Sequence, residues 1–167
     1  TGGGLPLLCT LNCASVPEEV RVGYGMTRSE MEKAAMAEPV GCEDLSFLPY
    51  LIGERSPNWP WASGVVAGIR PGHLSRPGLL YRAALEGATF SIKAGLASLE
   101  KELVSQSGPP PSEIRLVGGG AKSSLWRQIV ADALQLPVAV PSETESAALG
   151  AAMQAAALVD GASDVAS

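Results

Sequence analysis

Charged side chains make up only 17% of this 167-residue chain, and aromatic ones only 5%. The 12 Lys and Arg are outnumbered by 17 Asp and Glu, for a formal charge of −5. No basic run or stripe is present to follow a phosphate backbone, which argues against a nucleic-acid partner. The three cysteines, Cys9, Cys13 and Cys42, are odd in number and have neither a CxxC spacing nor a histidine pair beside them. That excludes a disulfide framework and a zinc site, and it fits reduced thiols acting as small buried hydrophobes in an intracellular, cytoplasmic setting. The single histidine, His73, has no nucleophile and acid arranged around it and reads as structural rather than as a base. No apolar run approaches the roughly 20 residues that a spanning helix needs, since the longest, AALGAAMQAAALV from Ala147, is short and broken by Gln154. No metal-ligating cluster and no membrane partner are expected.

What the chain does have is hydrophobic residues at 46%, 19 glycines and 13 prolines. This is enough apolar material for the core of one ordinary domain. The chain opens on TGGGLP without a methionine or a basic leader, so its start reads as a cut or processing point. LPLLCTLNCAS is expected to be a buried strand, with Pro17, Glu18 and Glu19 opening a short helix after it. Thr27 and Glu30 have capping-box spacing, and Pro39 closes the helix they start. A strand near LSFL, a proline- and tryptophan-rich loop and a strand at Gly64 to Ile69 come next. The longest helix is expected from Pro77 to Gln106, with Leu85, Ala88, Ile92, Leu96, Leu99 and Leu103 on one face. Arg82 and Glu86, four apart on it, read as an ion pair accompanying packing.

A strand at Glu113 to Val117 is followed by a helix whose Trp126, Ile129, Val130, Ala133 and Leu134 share a stripe, and then by a strand at PVAV. A last helix begins near Ser142, with Glu145 completing a capping box, and ends by Gly161. Strand, helix, strand, helix in this order implies a parallel sheet, so the class is α/β. In such sheets ligands gather at the carboxyl ends of strands, where Gly118, Gly119 and Gly120 stand.

Three bare positions let a flat or charged group approach the main chain, and the next helix turn offers N–H donors to an anion. A nucleotide fits that description, and so does a tight turn that binds nothing. A Walker A loop fails, because Ala121 precedes Lys122 and Leu116 holds the earlier glycine position. A dinucleotide fingerprint is half met: Gly118 and Gly120 fit, Ser123 replaces the third glycine, and Glu143 stands where a ribose ligand would. A non-catalytic interaction domain is the third alternative.

FLPYLIGERSPNWP, RAALEGATF, IRLVGGGAKSSLWRQIVADALQLPV and AALGAA occur here in the order found in the C-terminal domain of FGGY-family carbohydrate kinases. The chain resembles that domain from about Leu7 to Gly161, and the whole of 1–167 is expected to be one such domain, without the N-terminal one. The resemblance implies the actin-like, ribonuclease H-like ATPase fold, as the C-terminal half of a two-domain sugar kinase. It further implies ATP and Mg2+ as cofactors and phosphorylation of a ketopentose, xylulose foremost, at its 5-hydroxyl. Partners implied are the sugar, the N-terminal domain and a second copy in a homodimer. By the same resemblance Gly119, Gly120 and Ala121 lie against the nucleotide, and Ser124 lies near the base. Lys122 is either a phosphate-reaching cation or a solvated one, and Trp126 belongs to the core. Glu54 and Arg55 in GERSP sit near the cleft, where a buried ion pair would fix the loop. The carboxylate that accepts the sugar hydroxyl's proton lies upstream in such kinases, so no catalytic residue is assigned and this chain alone is expected to be inactive.

Overall fold

The computed structural model describes residues 7–104, 111–142 and 145–159. In chain order the elements are α1 (Ser15–Gly23), α2 (Arg28–Met36), β1 (Ser46–Leu48), β2 (Val65–Ala67), α3 (Pro77–Val104), β3 (Ile114–Arg115), α4 (Ser124–Leu134), β4 (Val138–Ala139) and α5 (Ser146–Val159). The order of types follows the sequence pattern with one exception. Residues 7–14 form no strand. The Leu11 N–H bonds instead to the Glu54 carboxylate, which takes it from any ladder, and the Asn12 side-chain amide donates to the same carboxylate and to the Gly53 carbonyl.

α3 is the spine of the molecule, and proline at its first position starts it without wasting a donor. One side of it joins Ala35 of α2 and Leu125, Trp126, Ile129 and Val130 of α4 in a core with Leu85 and Ala88. Another side buries Leu79, Leu80 and Ala83 against Cys42 and Leu45. α2 begins with the anticipated capping box, Thr27 and Glu30 each bonding the other's backbone N–H. β1 and β2 pair antiparallel, Phe47 opposite Val66, and lie on α3. β3 and β4 pair parallel, Ile114 opposite Val138, with α4 as the crossover. Both are shorter than the sequence suggests. The last helix starts at Ser146, not Ser142, and Glu145 lies ahead of it with its carbonyl accepting from the Leu149 N–H. None of the side chains of α5 is buried among the described residues. Gln106 and Gly161, the expected ends of α3 and α5, lie outside the described residues, as does Glu143.

Cys42, Glu43 and Asp44 follow one another at φ 51°, 56° and 67°. Each such residue costs roughly 1–3 kcal/mol and persists only where its surroundings hold it, as they do here. Cys42 is fully buried, and its thiol is pushed up to about 12 by burial first and the neighbouring Glu86 charge second. Glu43 meets Arg76 at 2.9 Å and His73 at 3.3 Å, and Arg76 chiefly holds its carboxyl below the ordinary range. His73 is buried with Nδ1 accepting from the Arg70 N–H, a structural role as the sequence suggested. Arg82 and Glu86 form the anticipated pair at 2.9 Å, buried, with Glu86 also accepting from the Gly41 N–H and Arg82 donating to the Glu38 carbonyl.

Candidate functional site

β3 runs into Leu116, whose N–H reaches the Ala139 carbonyl at 2.9 Å, and the chain then leaves the sheet through Val117 into the glycine turn. Gly118 has φ 83° and ψ −170°, a conformation that side chains disfavour and glycine accepts. Gly119 to Lys122 make one tight 3-10 turn, and Ser123 then caps α4. The three glycines do different things. A Cβ on Gly118 or Gly119 would meet nothing within 4 Å, whereas one on Gly120 would stand 2.7 Å from the Trp126 ring. Gly120 is therefore bare because the indole lies beneath it, and Gly118 and Gly119 are bare toward open space.

Val117, Gly118, Gly119, Lys122 and Ser124 are exposed along this edge. Ala121 is buried, its N–H donating to the Gly118 carbonyl at 3.1 Å and its own carbonyl accepting from Arg127 at 3.2 Å. Among the described residues, the N–H groups of Gly119 and Gly120 have no acceptor. Trp126, 8% exposed, is core as anticipated, with its indole N–H donating to Thr89 Oγ1 at 3.0 Å while Thr89 donates to the Leu85 carbonyl. That chain of bonds pins the floor of the turn to α3.

Two expectations need correction. The first turn of α4 offers few free donors, because Glu32 of α2 accepts from Ser123 Oγ at 2.8 Å and from the Leu125 N–H at 3.3 Å, and Ser123 Oγ accepts from the Trp126 N–H. Glu54 is buried, but Arg55 is not its ion partner. Its carboxylate accepts from the N–H groups of Leu11 at 2.8 Å and Arg55 at 2.7 Å, from that of Ser56 at 3.4 Å and from the Asn12 amide at 3.1 Å. Burial alone would raise its pKa, and these donors outweigh that and hold the carboxyl below its usual range. Glu54 thus ties residues 11 and 12 to the proline-rich loop. Asn12, a polar residue inside an apolar run, was the signal for that tie; Glu32, on a helix face that reads as solvated, left none.

A cavity of about 790 Å³ lies elsewhere, lined by Phe47, Glu86, Phe90, Ser91 and the C-terminal half of α4, and it includes no residue of the glycine turn. The turn is an open shelf. Among the described residues no three His, Cys, Asp or Glu side chains gather as a metal site, and no helix is long and apolar enough to cross a membrane.

Residues 10–159 match the C-terminal domain of the FGGY family of carbohydrate kinases. The chain belongs to that family. It is 38% identical over 153 residues to the xylulose kinase of Haemophilus influenzae, covering 92% of this chain and 30% of the relative. Among solved structures, a ligand-bound xylulose kinase from Lactobacillus acidophilus superposes with a TM-score of 0.78 at 28% identity, over 93% of this chain and 31% of that one. A gluconate kinase from the same organism gives 0.76 at 28% identity over the same shares. The FGGY chain described here therefore spans about 30% of the length of the curated relatives it matches. The dinucleotide-binding alternative receives no support from these relatives, which are kinases. The structure removes its third glycine's purpose as well, since Ser123 is a helix cap held by Glu32.

Proposed function

We propose that this chain is the nucleotide-holding part of an ATP-dependent sugar kinase with the actin-like, ribonuclease H-like ATPase fold, acting on a ketopentose such as xylulose. The observation that carries this reading is the exposed Gly118–Gly119 shelf with unmet N–H groups at the carboxyl end of β3, in a chain of this family. Gly119 and Gly120 would supply backbone donors, Ala121 a packed support beneath them, and Ser124, exposed at the start of α4, a hydroxyl able to donate to or accept from the base. Relatives named xylulose kinase that match over 92–96% of this chain support that sugar.

ATP, when bound, supplies the phosphoryl group, and transfer asks mainly for positioning and charge neutralisation. This chain's share is to hold and orient the nucleotide. Mg2+ is usually held by one or two carboxylates and the phosphates themselves, and no residue here is assigned to it. The proton-accepting carboxylate, the sugar contacts and the N-terminal domain belong to the portion of family members that this chain does not span. The 167-residue chain alone is accordingly expected to bind ATP without phosphorylating xylulose, and turnover by it would overturn this division of labour.

Two substitutions separate binding from packing. Gly119→Val places its side chain in open space, so it should leave thermal stability within about 1 kcal/mol of the parent while weakening ATP binding at least about tenfold, 1.4 kcal/mol. Gly120→Ala presses on the Trp126 ring and should destabilise by about 1–3 kcal/mol. Calorimetric titration with ATP–Mg2+, beside thermal melts, reads both. Unchanged ATP affinity in Gly119→Val would remove the shelf from the site.

A further inference from the structure

The N-terminus of α4 is where an anion would ordinarily settle, with free N–H groups and the positive end of the helix dipole. In this protein a side chain already sits there. Glu32 Oε1 takes both the Ser123 hydroxyl, 91 positions away, and the Leu125 N–H, and the Ser123 hydroxyl oxygen takes the Trp126 N–H. Glu32 is half-buried and rides on α2 one residue after Met31 and three before Ala35, both fully buried, so the carboxylate is held by a packed helix. Ser123 directly follows the glycine turn, and Ser124 beside it is exposed.

We infer that Glu32 sets the direction in which a nucleotide lies along the turn. Its charge fills the α4 N-terminus, turns phosphates away from that end, and leaves the neighbourhood of Ser124 to the uncharged base and ribose. The phosphates then run toward Gly118 and beyond. Glu32 is a positioning residue: it acts through the helix end and through charge, not by touching the reacting atoms. The consequence for nucleotide direction rests on the proposed function, whereas the closing of the helix end to anions does not, and the two are separable.

Glu32→Gln keeps an acceptor oxygen for Ser123 and Leu125 and removes the charge; Glu32→Ala removes both. Pyrophosphate titrated at constant ionic strength, followed by the backbone amide signals of Leu125 and Trp126, tests the closed helix end without any nucleotide. Affinity there should rise about tenfold in Glu32→Ala and about threefold in Glu32→Gln over the parent. Equal perturbation of those amides in all three proteins overturns the inference. Should Glu32→Ala fail to fold, Glu32→Gln alone decides, since it keeps the hydrogen bonds. With nucleotide, Glu32→Gln should raise ATP affinity relative to adenosine about threefold. If ATP binds the parent and that ratio does not change, the directional role of Glu32 is overturned. If pyrophosphate behaves as expected and ATP fails to bind the parent at all, the anion exclusion by Glu32 stands, its directional consequence is overturned, and the nucleotide reading falls with it.

Discussion

Replacing Gly87 by alanine is expected to destabilise the chain by about 3 kcal/mol and to lower its melting temperature by roughly 10 °C. In most helix interiors the same change stabilises by up to about 1 kcal/mol, because alanine loses less backbone freedom. Gly87 is different because β1 lies directly on it. An alanine Cβ would stand 2.0 Å from the Phe47 carbonyl oxygen and 3.0 Å from its carbon, a contact with backbone that no rotamer change relieves. β1 cannot retreat freely, since Phe47 is registered opposite Val66 and the neighbouring Leu45 is buried against α3. The substitution must push the hairpin off α3 or bend the helix. Gly150→Ala in α5, where a Cβ meets nothing within 4 Å, is the matched control and should be neutral or stabilising. Equal melting temperatures for the two variants would show that the hairpin does not rest on α3 as described.

Glu54→Gln should cost about 2–4 kcal/mol and loosen the segment before α1. The parent carboxylate, 1% exposed, serves four donors with acceptor oxygens alone. An amide in its place turns one of those acceptors into a donor facing other donors, which leaves buried N–H groups unmet. Hydrogen exchange at the Leu11 and Arg55 amides should accelerate first. The same carboxylate gives an acid limb to stability. Its folded pKa lies below the unfolded value, so its contribution is complete above the ordinary glutamate value of about 4.3 and fades as pH falls below that through the folded pKa. Unfolding free energy measured between pH 6 and 3 should fall less steeply in Glu54→Gln than in the parent. Parallel curves would mean that the carboxylate is not held as described.

The helices were legible because their signals are local. The Thr27–Glu30 box, Pro77 at a helix start and the stripe of Trp126, Ile129 and Val130 each act within a turn or two of chain. The parallel pairing of β3 and β4 followed from element order alone. What escaped was long-range. LPLLCTLNCAS has the composition of a strand, but Asn12 sits within it, and a buried carboxylate 42 to 43 positions downstream takes the Leu11 N–H and the Asn12 amide. Glu32 occupies a helix position whose neighbours Lys33 and Glu30 suggest solvent, and only the approach of α4 gives its carboxylate a task. The glycine triplet is one feature in the sequence and two in the structure: an open pair and a packing position, separated by where a tryptophan six residues on lies.

The central claim is that a nucleotide lies against the open glycine shelf. Backbone amide signals of the nitrogen-15-labelled chain, followed as ATP–Mg2+ is added, test it most directly. Saturable shifts confined to Val117 through Ser124, with the remote α1 signals still, are the predicted result. Binding that moves the residues lining the cavity at Phe47, Phe90 and Ser91 while Gly118 and Gly119 stay unchanged would contradict it.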